Sequence, residues 1–306
     1  MVRGWAPAVE AELIAEAGAP RATRLALTYI NSFPDGYRSR TAPEEGAADI
    51  LRLCDLADED DRAVRLTRLD SDEPGHFRLK TYRRGALIPL SDVVPVLENF
   101  GFRVLEEFPT ALSHNNGYIH DFRVEVAAGT DEGSIIERTA EIESAIARVL
   151  CGTAEDDEFN QLVLYAELDM RSVVWLRAWF RYTRQMGSSY GLVTIVDALR
   201  RAPGATRALI DLFIAAHDPA TTKREEQVEE IRERLERSLA KVRSIDDDRI
   251  LRRLRALIEA IVRTNAFAPA CEEALAFKIN SSMRLTAARH SAARSCNARE
   301  QPLPDR

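Results

Sequence analysis

The sequence predicts an α+β protein: a small antiparallel sheet with helices on one face, followed by a mostly helical region carrying a charged helical hairpin. Three observations predict it. Apolar residues recur every three or four positions before about residue 57 and again from 132 to 270, which is the helical period. Between Ala63 and Val126 the period shortens toward two on both sides of a short helical run, which is the strand period. Ala276-Phe277-Lys278-Ile279-Asn280 then reads as the opening strand of a further domain. The residues after it, Ser281 to Arg306, are rich in Ala, Ser and Arg, and Leu303 is their only large aliphatic residue after Leu285. That stretch has too little apolar material to build a core, so the chain reads as a scaffold whose chemical domain is missing.

The elements follow in order. Val9, Leu13 and Ile14 place a first helix, and Leu25, Leu27, Tyr29 and Ile30 a second. Pro34-Asp35-Gly36 predicts a break. Pro43-Glu44-Glu45 opens another helix, because proline suits a first turn and acids suit the positive end of the helix dipole. Its buried stripe is expected at Ala47, Ile50, Leu51 and Cys54. Val64, Leu66 and Leu69 alternate with Arg65, Thr67 and Arg68, and Asp70 to Gly75 is turn chemistry. Phe77, Leu79 and Tyr82 against Arg78, Lys80 and Arg83 predict a partner strand with apolar groups on one face and charge on the other. Ser91-Asp92 starts a helix that Gly101 closes. Phe102 to Pro109 is a third strand, Ser113 to Gly117 a polar turn, and Tyr118 to Val126 a fourth strand in which Ile119 is out of phase.

From 132 onward the apolar period predicts about seven helices: 133–150, 156–167, 170–185, 189–201, 205–216, 220–243 and 246–265. In 220–243 only Val228, Ile231, Leu235, Leu239 and Val242 form an apolar seam, and Glu230/Arg234 and Glu233/Arg237 are spaced as i,i+4 pairs. This segment and 246–265 are expected to form a protruding charged hairpin.

Composition narrows the function. The 306 residues carry a net charge of −7, which argues against general nucleic-acid binding. No apolar run approaches a membrane span, and the first twenty residues lack a signal-peptide core, so the expected location is the cytoplasm. Cys54, Cys151, Cys271 and Cys296 form no CxxC pair and read as scattered reduced thiols.

Most candidate chemistry fails on spacing. The chain has no GxGxxG and no GxxxxGK[ST] phosphate turn; Gly187-Ser188-Ser189-Tyr190-Gly191 follows no strand and reads as a helix junction. His114 and His120 flank a turn, and Asp121 beside His120 could orient it as a base, but no nucleophile motif accompanies them. His76, His217 and His290 stand alone, without metal-ligand spacing. Glu155, Asp156, Asp157 and Glu158 read as a helix-start cluster, and Trp175, Trp179 and Tyr182 as a core or interface stripe. No catalytic, cofactor-binding or metal-ligating residue is assigned.

Several segments together resemble the large bacterial NAD-specific glutamate dehydrogenases. Phe33 to Arg38 (FPDGYR) is similar to that family's FPxxYR break, and Pro89 to Val104 (PLSDVVPVLENFGFRV), after Lys80-Thr81-Tyr82-Arg83-Arg84-Gly85, to its PLSDVLPMLENLGLRV block. Ile119 to Phe122 matches IHDF, and Phe159 to Leu164 (FNQLVL) resembles FNRLVL. Leu176 to Gln185 (LRAWFRYTRQ) resembles LRAYARYLRQ. Ser244 to Arg253 (SIDDDRILRR), with Arg263-Thr264-Asn265, resembles SLDDDRILRR…RTN, and Ala276 to Ile279 (AFKI) the SFKL strand that introduces the catalytic region.

The resemblance implies a helical lead-in over 1–42, an ACT-like regulatory domain over 43–130 and a helical scaffold over 131–275. It implies that 276–306 is the start of a truncated catalytic domain plus a disordered tail. The ACT layout implies a strand before its first helix, and none is visible before Pro43. The family enzyme is a homo-oligomer that oxidises L-glutamate to 2-oxoglutarate with NAD. Its substrate lysines and nucleotide turn lie beyond the SFKL strand, so no cofactor is expected on this chain alone. A frameshift or early stop after about Asn280 would account for the tail. The alternative is a free-standing amino-acid-sensing or oligomerisation module, with an amino acid as small-molecule effector.

Overall fold

The computed structural model describes residues 4–269 and 274–280; Cys271, Cys296, His290 and the tail from Ser281 lie outside the described residues. The chain forms two compact units, Met1–Leu164 and Tyr165–Arg306.

The first unit opens with four helices: α1 (Trp5–Ala17), α2 (Ala19–Tyr29), α3 (Asp35–Arg40) and α4 (Pro43–Asp55). The break falls at Phe33-Pro34, and Pro34 immediately precedes α3, so Asp35 and Gly36 are helical and not part of the turn. Val9, Leu13, Leu25, Phe33, Tyr37, Ala47, Ile50 and Leu53 are buried together. Leu51 and Cys54 are only half-buried, while Leu53 and Asp49 are buried on α4. The expected stripe was therefore rotated, because α4 turns a carboxylate inward.

Strands β1 (Ala63–Thr67) and β2 (His76–Arg83) come next, then α5 (Leu90–Asn99), β3 (Arg103–Ala111) and β4 (Tyr118–Glu125). The sheet order is β1-β2-β4-β3 and every pairing is antiparallel. The register sets Leu66 opposite Leu79, and Leu79 opposite Phe122, so one face is a continuous apolar row. Strand β3 carries a bulge between Val104 and Glu106. Gly101, at φ 93°, follows α5 as the C′ position requires. Among the described residues no strand precedes Ala63.

Helices α6 (Glu132–Glu137) and α7 (Thr139–Leu150) replace one predicted helix, broken at Arg138. Helix α7 packs on β1, and α5 on β3 and α7, which covers the apolar row. Ile119 points to the opposite face and joins Tyr82 and Leu112 in the core of the four leading helices. Its broken phase thus records a second covered face. A short 3-10 turn, Glu158–Gln161, and α8 (Leu162–Tyr165) stand where one longer helix was expected.

The second unit holds α9 (Met170–Gln185), α10 (Leu192–Arg201), α11 (Pro203–His217), α12 (Arg224–Leu239) and α13 (Ile245–Ala260). Trp175 and Trp179 are core residues, meeting Phe213 edge-on at 4.8 and 5.1 Å, and Tyr182 is half-buried. The charged pair does not protrude as a free hairpin. Helix α12 packs along α11, burying Leu235 and Leu239, and α13 packs on α10 and α11. Arg234 pairs with Asp211 of α11 and not with Glu230. Helix α13 ends at Ala260, and the remainder of the predicted helix is strand β5 (Ile261–Thr264), paired with β6 (Phe277–Ile279). A β-branched pair, Ile261-Val262, sits where the partner strand returns, and pairing overrides the helical period. No helix among the described residues is long and apolar enough to cross a membrane.

Candidate functional site

The densest polar cluster lies where α4 crosses the sheet. Helical spacing places Glu45 and Asp49 one turn apart on the same face of α4. Strand pairing places Arg65, Lys80 and Asp121 side by side across β1, β2 and β4, with Tyr82 two residues along β2. The two sets meet. Asp49, fully buried, accepts hydrogen bonds from Lys80 Nζ at 2.7 Å, from Tyr82 Oη at 2.7 Å and from the Tyr37 hydroxyl. Arg65 stands 3.5 Å away. Lys80 Nζ also reaches Glu45 at 2.6 Å and lies 5.7 Å over the Tyr37 ring.

The electrostatics follow from this geometry. Burial alone would push the Lys80 ammonium down, but Asp49 and Glu45 outweigh it and the net shift is upward. Burial, reinforced by Asp49, raises both the Tyr37 and Tyr82 phenols. They therefore stay neutral and donate. Asp49 accepts from three donors and is fully buried, so it is closed to a substrate and serves as a lock between helix and sheet. Asp121 is different. Its carboxyl is half-buried, accepts no hydrogen bond among the described residues, and is raised by burial, with Lys80 opposing.

The Asp121–His120 arrangement that the sequence reading weighed and set aside is absent among the described residues. Adjacent residues of a strand point to opposite faces, and His120 Nδ1 instead meets Glu107 Oε1 of β3 at 2.8 Å. His120 Nε2 and Thr81 Oγ1, on directly paired residues, are buried without partners. Both residues are closed to solvent, so this is a polar spot within the packed face. Near β1, Cys151 Sγ is 3.8 Å from Asp61 Oδ1, and burial pushes its thiol up, which disfavours the thiolate. Gly187 follows α9 and Gly191 caps α10, so the Gly-x-x-x-Gly run is the helix junction it was read as.

In the second unit His217 packs on Phe213 at 5.1 Å, and burial, aided by Arg224, pushes its imidazole down. It borders a cavity of about 500 Å³ beside β5, together with Arg224, Arg232 and Glu259. Arg232 and Glu259 pair with one another at 3.1 Å, which spends their charges internally. The Asp49 cluster was missed by sequence reading because Lys80 and Arg65 alternate with apolar residues as surface charges do. The one available signal was Asp49 falling on the apolar side of α4 between Ala47 and Ile50.

Four family models match in order along the chain. They are glutamate dehydrogenase helical motif 2 at residues 12–56, the glutamate dehydrogenase ACT3 domain at 61–136, helical motif 3 at 154–219, and the bacterial NAD-glutamate dehydrogenase catalytic domain at 234–290. The NAD-specific glutamate dehydrogenases of Pseudomonas aeruginosa and Halomonas elongata are each 34% identical to it, over 275 and 288 residues. That of Mycobacterium tuberculosis is 30% identical over 277 residues. These alignments cover 84 to 92% of this chain but only 17 to 18% of each relative's length.

Proposed function

We propose that this chain, which belongs segment by segment to the large bacterial NAD-specific glutamate dehydrogenases, supplies regulatory and scaffolding parts of such an enzyme. The reaction served is oxidative deamination of L-glutamate to 2-oxoglutarate and ammonia, with hydride transfer to NAD. The observation that carries the reading is the order of the four matched segments, which runs through both units, the last of them, 234–290, taking in the β5–β6 pair. The regulatory role falls on the sheet domain over 43–130, where an amino acid is the effector expected of an ACT-type fold. The scaffolding role falls on 131–275, and the working form is a cytoplasmic homo-oligomer. The Asp49 lock supports a regulatory sheet because it ties the sheet rigidly to the leading helices, so that a shift in one moves the other.

Calorimetric titration of L-amino acids into the purified chain, with an NADH assay on glutamate and NAD alongside, tests this. Saturable heat with one or a few amino acids, and no NADH, is the expected result. NADH formation by this chain alone would overturn the division of labour, and the absence of any binding would remove the regulatory role.

A further inference from the structure

The second unit contains another cavity, of about 600 Å³, at the junction of α11 with the α12–α13 connection. Its size is that of a small-ligand site. Ala202, Pro203, Ala205 and Val242 give it apolar walls. Lys241 and Arg243 stand at its rim, and neither side chain has a partner among the described residues. The only carboxylate in its lining, Asp247, is consumed: Arg201 holds both of its oxygens, at 2.9 and 3.0 Å. Its neighbours are likewise occupied, Asp246 by Arg249 and Tyr190, and Asp248 by Arg252. Two cations therefore face the cavity without compensation, on a chain whose net charge is −7. Gly204 and Ala205, in the first turn of α11, also line it.

We propose that this cavity binds a small organic anion: a phosphate or carboxylate head held by Lys241 and Arg243, with a compact apolar body against Pro203, Ala205 and Val242. The anion would displace solvent from apolar walls while neutralising two free charges, and neither gain requires breaking an existing ion pair. The site lies in the helical unit and does not depend on the effector role assigned to the sheet domain.

The test is titration of the full chain with adenosine monophosphate, glutarate and inorganic phosphate at low salt. We expect saturable binding of adenosine monophosphate or glutarate, weakening as salt rises. Competition by inorganic phosphate identifies a phosphate head, and competition by glutarate alone a carboxylate head. In the Lys241→Gln/Arg243→Gln double variant affinity should fall about tenfold or more. Both side chains are exposed and unpaired, so this variant keeps its fold, as circular dichroism will confirm. In Gly204→Phe, which fills the mouth, the organic probe should weaken more than phosphate; a Cβ there meets nothing closer than Ser238 Oγ at 3.6 Å. The proposal is overturned by no saturable binding of any probe at about 10 mM, beyond the millimolar edge of a specific site. Binding unchanged in either variant would also overturn it.

Discussion

Asp49 is the residue on which the first unit turns. It is buried under three donors, two of them neutral phenols and one a buried ammonium. Removing Asp49 strips the two phenols of their acceptor and leaves Lys80 with Glu45 alone, so Asp49→Ala should cost about 3–5 kcal/mol. The shift will be read in the urea midpoint. Lys80→Met should also destabilise alone, and the double variant should lose less than the sum of the two, since the Asp49–Lys80 pair is then removed whole while the two phenols still lack their acceptor. Additive losses in that cycle would mean that the two residues do not act on one another. Asp121 allows a sharper test because its direction depends on pH. Its carboxyl is raised by burial, so its charged form is the disfavoured one in the folded chain. The associated stability is present below the ordinary carboxylate range near pH 3.9 and is lost as pH rises through the raised value. Asp121→Asn should therefore raise the thermal midpoint at neutral pH, with the advantage shrinking toward acid. An advantage constant across pH would show that the carboxyl titrates as in the unfolded chain. Of this cluster only Asp49, on the apolar side of α4, was legible in advance. Lys80 and Arg65 look like the wet side of a strand, and only three-dimensional coverage by α4 makes them interior charges.

Elements were legible where one period ran unopposed, and illegible where a tertiary partner imposed another. The strands at 63–67 and 76–83 and the turn before Tyr118 follow from alternation and turn residues alone. The helical period over 246–265 could not reveal that Ile261–Thr264 pairs with Phe277–Ile279, because the partner is 13 or more residues away. Nor could it reveal that α12 spends Arg234 on Asp211 of another helix rather than on its own Glu230. Helix α7 shows how much a helix can do beyond its apolar stripe. Its Glu143 is buried, accepts the Leu66 amide at 2.8 Å and holds Arg52 at 2.8 Å. Leu66 lies on edge strand β1, so this carboxylate closes an otherwise open backbone donor. Glu143→Ala should strand that amide and cost about 1–3 kcal/mol, with faster hydrogen exchange at Leu66 than at paired amides of β2. Unchanged protection at Leu66 would mean that the edge is closed by something else. The turn into β4 is held as tightly. At Gly117, φ is 143° and a Cβ would lie 2.7 Å from Leu53 Cδ2. Gly117→Ala should therefore destabilise by about 2 kcal/mol or more, seen as a lowered thermal midpoint.

At the scale of the whole molecule, the chain divides into two compact units, and each has its own reason to be stable. The first is a sheet with both faces engaged: apolar rows under α5 and α7 on one side, and the Asp49 cluster with the leading helices on the other. The second is a helical packing centred on Trp175, Trp179 and Phe213, with Leu251, Leu254 and Leu257 of α13 buried as well. Native-state exchange reports such units separately when they open separately. A lesion in the Asp49 cluster is a suitable probe, because it removes stability from one unit at a known point. In Asp49→Ala the slowest amides of β2 and β4, such as those of Leu79 and Phe122, should lose protection by the same ~3–5 kcal/mol that the urea midpoint reports. The amides of Leu209 and Phe213 in α11 should keep theirs. Equal losses in both sets would show that the chain opens as one cooperative body. In that case a single unfolding free energy would describe it, and an effector bound to the sheet would stabilise the helical unit by mass action as well. Separate losses would mean that an effector bound to the sheet leaves the stability of the helical unit unchanged.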